Sequence, residues 1–141
     1  MAAASYRIID EPAASPLSRA IVNPFLIVLA GMLLPLLLGS AMRYPQLLAL
    51  LWFALNGIAL RGPTLRQELA WIIGGAAFLL GFLPAFRLAM QADLLSVSTV
   101  VAYGPYIAIA RSAIILTVLY RLYVLQNDSY QLHRYLHGDR A

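Results

Sequence analysis

The chain is divided into apolar runs that are too long and too closely spaced for a water-soluble fold of its size to bury. Segments 20–42, 46–60, 65–90 and 94–126 are dominated by hydrophobic residues, and the polar stretches between them are only turns. Of 141 residues, 62% are hydrophobic and 11% charged, against about 45–50% and about 25% in soluble domains. A globule of this length still exposes much of its surface, and here apolar residues would have to cover it. Lipid is the natural solvent for such a sequence. The expected fold is an all-α integral membrane protein of about four transmembrane helices, forming a single membrane domain.

The segments differ in reach. Residues 20–42 are long enough, at about 1.5 Å per residue, to cross a hydrocarbon core of about 30 Å, with Pro24 near the start and a bend expected at Pro35. After the minimal turn Arg43-Tyr44-Pro45, the second segment ends at Leu60 and spans only about 24 Å. It either crosses a thinned region or forms a short, re-entrant hairpin with the first. Residues 61–68 read as the clearest loop. Thr64 and Gln67 have the spacing of a capping box, so a third helix should begin near Leu65 and run to about Met90, bent at its far end by Pro84. The stretch 94–126 would be about 50 Å long as one helix. It should tilt or protrude, with a kink at Gly104-Pro105.

Arginine placement sets the expected orientation. All ten basic residues are arginine, which suggests a GC-rich, bacterial coding sequence. With four crossings, Arg7, Arg19, Arg61, Arg66, Arg121, Arg134 and Arg140 fall on one side, and Arg43 and Arg87 on the other. The excess marks the cytoplasmic face of a bacterial inner membrane, with both termini inside. The same sidedness holds for a re-entrant hairpin. Residues 1–19 and 127–141 are then cytoplasmic tails. The first of these lacks the apolar core of a secretory signal and is expected to stay attached. The net charge of +4 does not point to nucleic acid, because the arginines sit singly between apolar runs and form no basic stripe.

Arg111 is the most informative residue. Ten positions before Arg121, it is expected near mid-membrane, where an arginine costs at least about 2.5–3.5 kcal/mol without water, a partner or a snorkelling route. Ser96, Thr99, Tyr103, Tyr106 and Arg111 share an arc of about 140° at about 100° per residue, a polar stripe facing protein or water. Arg111 either snorkels or satisfies a carbonyl freed by Pro105, or it pairs with a partner subunit or an anionic lipid or ligand. The acids Asp10, Glu11, Glu68, Asp93, Asp128 and Asp139 all lie at or outside the segment boundaries. Its counter-charge is therefore expected from another molecule. Asn56 could add a hydrogen bond but no charge.

Gly74, Ala77, Gly81 and Ala85 give the third helix a small-residue face, suited to close helix packing within the chain or against another subunit. His133 and His137 are four apart, a weak metal half-site outweighed by a solvated or headgroup-facing tail. Tyr120, Tyr123, Tyr130 and Tyr135 fit an interfacial belt or a docking tail. Arg87 and Asp93 could pair across the outer turn, although interfacial anchoring is the simpler role for them.

No cysteine is present, no histidine lies in an apolar segment, and no nucleophile and base stand at an interpretable spacing. Disulfides, thiolate metal sites, histidine-ligated haem and stand-alone catalysis are thus not expected, and no catalytic, cofactor or metal residue is assigned. Nor is the carboxylate relay of small proton-coupled exporters, since no acid lies deep in a segment. The expected function is that of a small polytopic subunit, non-catalytic on its own, within a secretion, export or envelope-biogenesis complex. The alternative is a small homo-oligomeric transporter or channel for an anion or lipid headgroup, with Arg111 lining the path.

Overall fold

Each helix begins and ends where the backbone chemistry dictates. In the computed structural model, which describes residues 21–38 and 42–137, there are four helices: α1 (Pro24–Leu38), α2 (Gln46–Leu60), α3 (Leu65–Gln91) and α4 (Val97–His137). The expected tail 1–19 lies outside the described residues, as does the end of the chain beyond His137. Proline at the first position of α1 loses no helical hydrogen bond, and Asn23 before it accepts from the Phe25 N–H at 3.0 Å. α2 ends at Arg61, whose left-handed conformation (φ 50°) returns its N–H to the Gly57 carbonyl at 3.0 Å.

Three expectations are corrected. Thr64 does not cap α3 with its side chain, because its backbone is already in the right-handed helical region and its hydroxyl is engaged elsewhere. The stretch 127–137, expected as a polar tail, continues α4 as helix, so α4 is 41 residues long, about 61 Å. α1 is shorter than the apolar run that contains it, at 15 residues or about 22 Å. α4 passes through Gly104 and Pro105, the expected kink point, without a break in the helix. Its first turn is capped by Ser96, whose hydroxyl accepts from the Thr99 N–H at 3.2 Å.

The helices pack in cyclic order. α1 lies against α2 and α4, α3 lies against α2 and α4, and α2 also meets α4 across the middle; α1 and α3 do not touch. The buried apolar residues Ile27, Ala49, Leu50, Phe53, Leu79, Ile115, Val118, Leu119 and Leu122 fill the space between them. Close approach is set by two glycines. A Cβ on Gly31 would lie 2.8 Å from Leu119 Cδ1, and one on Gly75 would lie 3.0 Å from Val118 Cγ1.

Packing ends well before the long helices do. No described residue of α3 beyond Leu79, and none of α4 before Ile115, is buried, so the α3–α4 hairpin extends bare past the α1–α2 pair. α3 and α4 are both long and apolar enough to cross a membrane, whereas α1 and α2 are shorter apolar helices of 15 residues each.

The glycines predict a contrast that thermal unfolding of detergent-solubilised protein can read. Gly75→Leu should destabilise the bundle by about 1–3 kcal/mol through overpacking against Val118 and Leu50. Gly81→Leu should not, because a Cβ there meets nothing within 4 Å.

Candidate functional site

Polar side chains inside an apolar bundle must find partners within it, and here they find one another. Gln126 of α4 is fully buried, beside Asn56 of α2 and Glu68 of α3, each only 2% exposed. The Gln126 amide nitrogen donates to the Phe53 carbonyl at 2.8 Å and to Glu68 Oε2 at 2.7 Å. Its oxygen accepts from Asn56 Nδ2 at 3.0 Å. Asn56 Oδ1 in turn accepts from the Val22 N–H at 2.9 Å, which ties in the start of α1. Thr64 Oγ1 donates to Glu68 Oε1 at 2.6 Å and lies 3.3 Å from the Leu125 carbonyl. The partners fix the orientation of both amides, since each nitrogen faces acceptors and each oxygen faces a donor. Among the described residues, no buried side-chain nitrogen or oxygen lacks a hydrogen bond.

This junction joins all four helices at one end of the bundle. Gly57 makes room for it, because a Cβ there would collide with the Glu68 carboxyl group and lie 2.9 Å from Gln126 Nε2. α3 begins at Leu65, as expected, so Glu68 sits in its first turn, but buried and not at the surface of a loop; Gln126, expected as the last residue of the fourth apolar segment, lies well inside α4. A signal was available. Asn56, Glu68 and Gln126 are polar residues within or bordering apolar runs, and such residues seek each other.

Arg111 lies far from this junction, 15 residues or about 22 Å up α4 from Gln126. It is half-buried, at one end of a groove of about 330 Å³ between α1, the start of α2 and α4. Gln46 shares that groove, and Gly31, Pro35, Ile115 and Leu119 help to wall it. The structure does not gather the rest of the expected stripe around Arg111. Ser96 and Thr99 bond each other at 2.8 Å in the exposed cap of α4, while Tyr103 and Tyr106 are exposed, ring against ring at 6.4 Å. Arg87 and Asp93 form no ion pair, and Asp93 adopts a left-handed turn conformation (φ 54°).

The small residues divide between two faces. Gly74, Ala77, Gly81 and Ala85 are all exposed, and a Cβ on Gly74 or Gly81 would meet open space. The glycine that packs inward is the neighbouring Gly75. Gly74 and Gly75 together floor an apolar notch of about 400 Å³ between α3 and α4, bordered by Trp71, Phe78, Ile114 and Val118. Beside it Arg121 lies over the Trp71 ring at 5.8 Å, a cation–π contact joining α4 to α3. Tyr123 meets Phe25 of α1 edge-on at 6.4 Å, so this expected belt residue also serves internal packing.

The chain matches no protein-family model, no curated protein and no solved structure.

The polar junction predicts a hierarchy of substitutions, measured by thermal unfolding in detergent. Gln126→Leu strands the Glu68 carboxyl, the Asn56 amide and the Phe53 carbonyl, at about 1–3 kcal/mol for each unsatisfied group. Glu68→Gln should be mild. Its new amide can donate to Thr64 Oγ1 while the Thr64 hydroxyl turns to the Leu125 carbonyl and Gln126 keeps its acceptor. Gln126→Glu should be the most damaging, because it sets two carboxyl groups and the Phe53 carbonyl against each other.

Proposed function

We propose that this chain is a polytopic protein of the bacterial inner membrane, a single membrane domain with both termini in the cytoplasm. It serves as a non-catalytic subunit that docks by helix packing into a larger secretion, export or envelope-biogenesis complex. The membrane part of this reading is supported by how little of α3 and α4 is covered. Their most apolar 18-residue windows are only 11% and 22% buried, unlike the core helices of a water-soluble protein.

Position along the helices supports the same frame. Arg66 and Arg87 are 21 residues apart on α3, about 31 Å, which brackets a hydrocarbon core of about 30 Å. In this frame the polar junction sits just inside the cytoplasmic edge, and Tyr103 and Tyr106 fall near the outer interface, where aromatic residues concentrate. The bare hairpin tip, with Gln91, Asp93 and Ser96, projects beyond it. Arg111 lies about 6 Å inside the level of Arg87, nearer the outer headgroups than the mid-membrane depth expected from sequence.

Docking rests on a single observation, the outer face of α3. Gly74, Ala77, Gly81 and Ala85 are all exposed, a Cβ on Gly74 or Gly81 would meet no described atom within 4 Å, and the notch beside Gly74 offers a seat for a side chain of a neighbouring helix. Small residues let helix backbones approach within lipid, where hydrophobicity alone does not drive association. The polar junction suits a scaffold, since its groups bond each other.

The test is purification from native membranes at endogenous expression, followed by mass spectrometry, for wild type and Gly74→Leu/Gly81→Leu. Larger proteins should accompany the wild type in fixed stoichiometry and be lost from the double variant, whose unfolding temperature should be unchanged. Recovery of a homo-oligomer alone, together with Arg111-dependent anion flux in vesicles carrying only this chain, would favour the transporter alternative instead.

A further inference from the structure

We propose that the groove between α1 and α4 is a binding site for one anionic phospholipid of the outer leaflet, with its phosphate held by Arg111 and an acyl chain lying along α4. The groove has the polarity of a lipid. Arg111, Gln46 and Ser112, whose hydroxyl is already given to the Ala108 carbonyl, provide its polar groups, while Gly31, Pro35, Ile115 and Leu119 provide hydrocarbon and bare backbone. From Arg111 to Leu119 is eight residues, about 12 Å, enough for roughly half of an acyl chain.

Charge selects the headgroup. No described acid is within reach of Arg111: Glu68 is at the other end of the bundle, about 22 Å away along the helices, and Asp93 and Asp128 are 18 and 17 residues away along the chain. The Arg111 guanidinium forms no hydrogen bond or ion pair with any described residue. A guanidinium at this depth needs an anion, and its fork of donors matches phosphate oxygens, with the Gln46 amide available as a further donor. The same lack of acids disfavours a zwitterionic headgroup, whose ammonium would find no carboxylate beside the groove. The site therefore fits a net-negative glycerophospholipid better than an ethanolamine lipid. Depth agrees, because an arginine about 6 Å inside the headgroup level can extend its side chain to the phosphates.

This inference does not rest on the docking of α3, which uses the opposite side of the molecule's long hairpin and other residues. It is tested on the purified full-length chain alone, so the two readings can fail separately. Native mass spectrometry after titration with phosphatidylglycerol, phosphatidylethanolamine or inorganic phosphate reads the site, alongside thermal unfolding with each added. One phosphatidylglycerol should bind about tenfold tighter than phosphatidylethanolamine and raise the unfolding temperature. Arg111→Gln should abolish that preference and that rise without changing the lipid-free unfolding temperature, because no described contact is lost. Leu36→Trp, at the exposed mouth of the groove, should weaken binding while Arg111 is intact. Equal binding of the two lipids, a preference that survives Arg111→Gln, or millimolar phosphate displacing the lipid would each overturn the proposal.

Discussion

The amide of Gln126 is the interaction on which the arrangement of the helices depends. Its two N–H groups and its oxygen reach α2 and α3 at once, and through Asn56 they reach Val22, just before α1. In an apolar surrounding, leucine packing alone permits many helix registers, because one methyl contact resembles another. A buried amide does not, since sliding α4 by a turn would leave it without partners and take one hydrogen bond from each of Asn56, Glu68 and the Phe53 carbonyl. The buried apolar residues among those described form the core between the helices, and the junction selects which contacts are made.

Fixing that register at one end determines the shape of the other. α1 and α2 are 15 residues each and start or finish level with the junction, so they run out after about 22 Å. α3 starts from the same level and continues, and α4 returns beside it, meeting the junction at Gln126 and ending at His137. Beyond Leu79 and Ile115 no described residue of either helix is buried, and only the groove beside Arg111 still brings α4 against α1 and the start of α2. Two adjacent glycines on α3 show the division: Gly75 faces inward to admit Val118, and Gly74, about 100° around the helix, faces outward over empty space.

Most of this architecture was legible in the sequence because it follows from local rules. The limits of α2 and the start of α3 followed from Pro45, Arg61-Gly62-Pro63 and the apolar runs between them. Thr64 was misread as a capping residue because spacing reports only that a hydroxyl precedes a helix, not that Glu68 and Leu125 compete for it. The junction itself was missed for a related reason. Asn56, Glu68 and Gln126 are separated by 58 and 70 residues from their partners, and no periodicity connects positions on three helices. Glu68 looked like a boundary residue because it is one. Its burial comes from Gly57 opposite, whose missing side chain leaves the space that the carboxyl group occupies.

The two internal ionisable groups, Glu68 and Arg111, illustrate two different solutions to the same problem. They stand about 22 Å apart along the helices and cannot answer each other. Glu68 is satisfied from within, by neutral donors on α4 and in the loop before α3, so it contributes to cohesion and has no need of another molecule. Arg111 shares a mostly apolar groove with Gln46 and with Ser112, whose hydroxyl donates to the Ala108 carbonyl, and neither an amide nor a hydroxyl can neutralise a guanidinium. One end of the bundle is thus chemically closed and the other open. A chain built this way holds its own fold at the junction and leaves the Arg111 guanidinium and the small residues on the outer face of α3 uncommitted among the described residues.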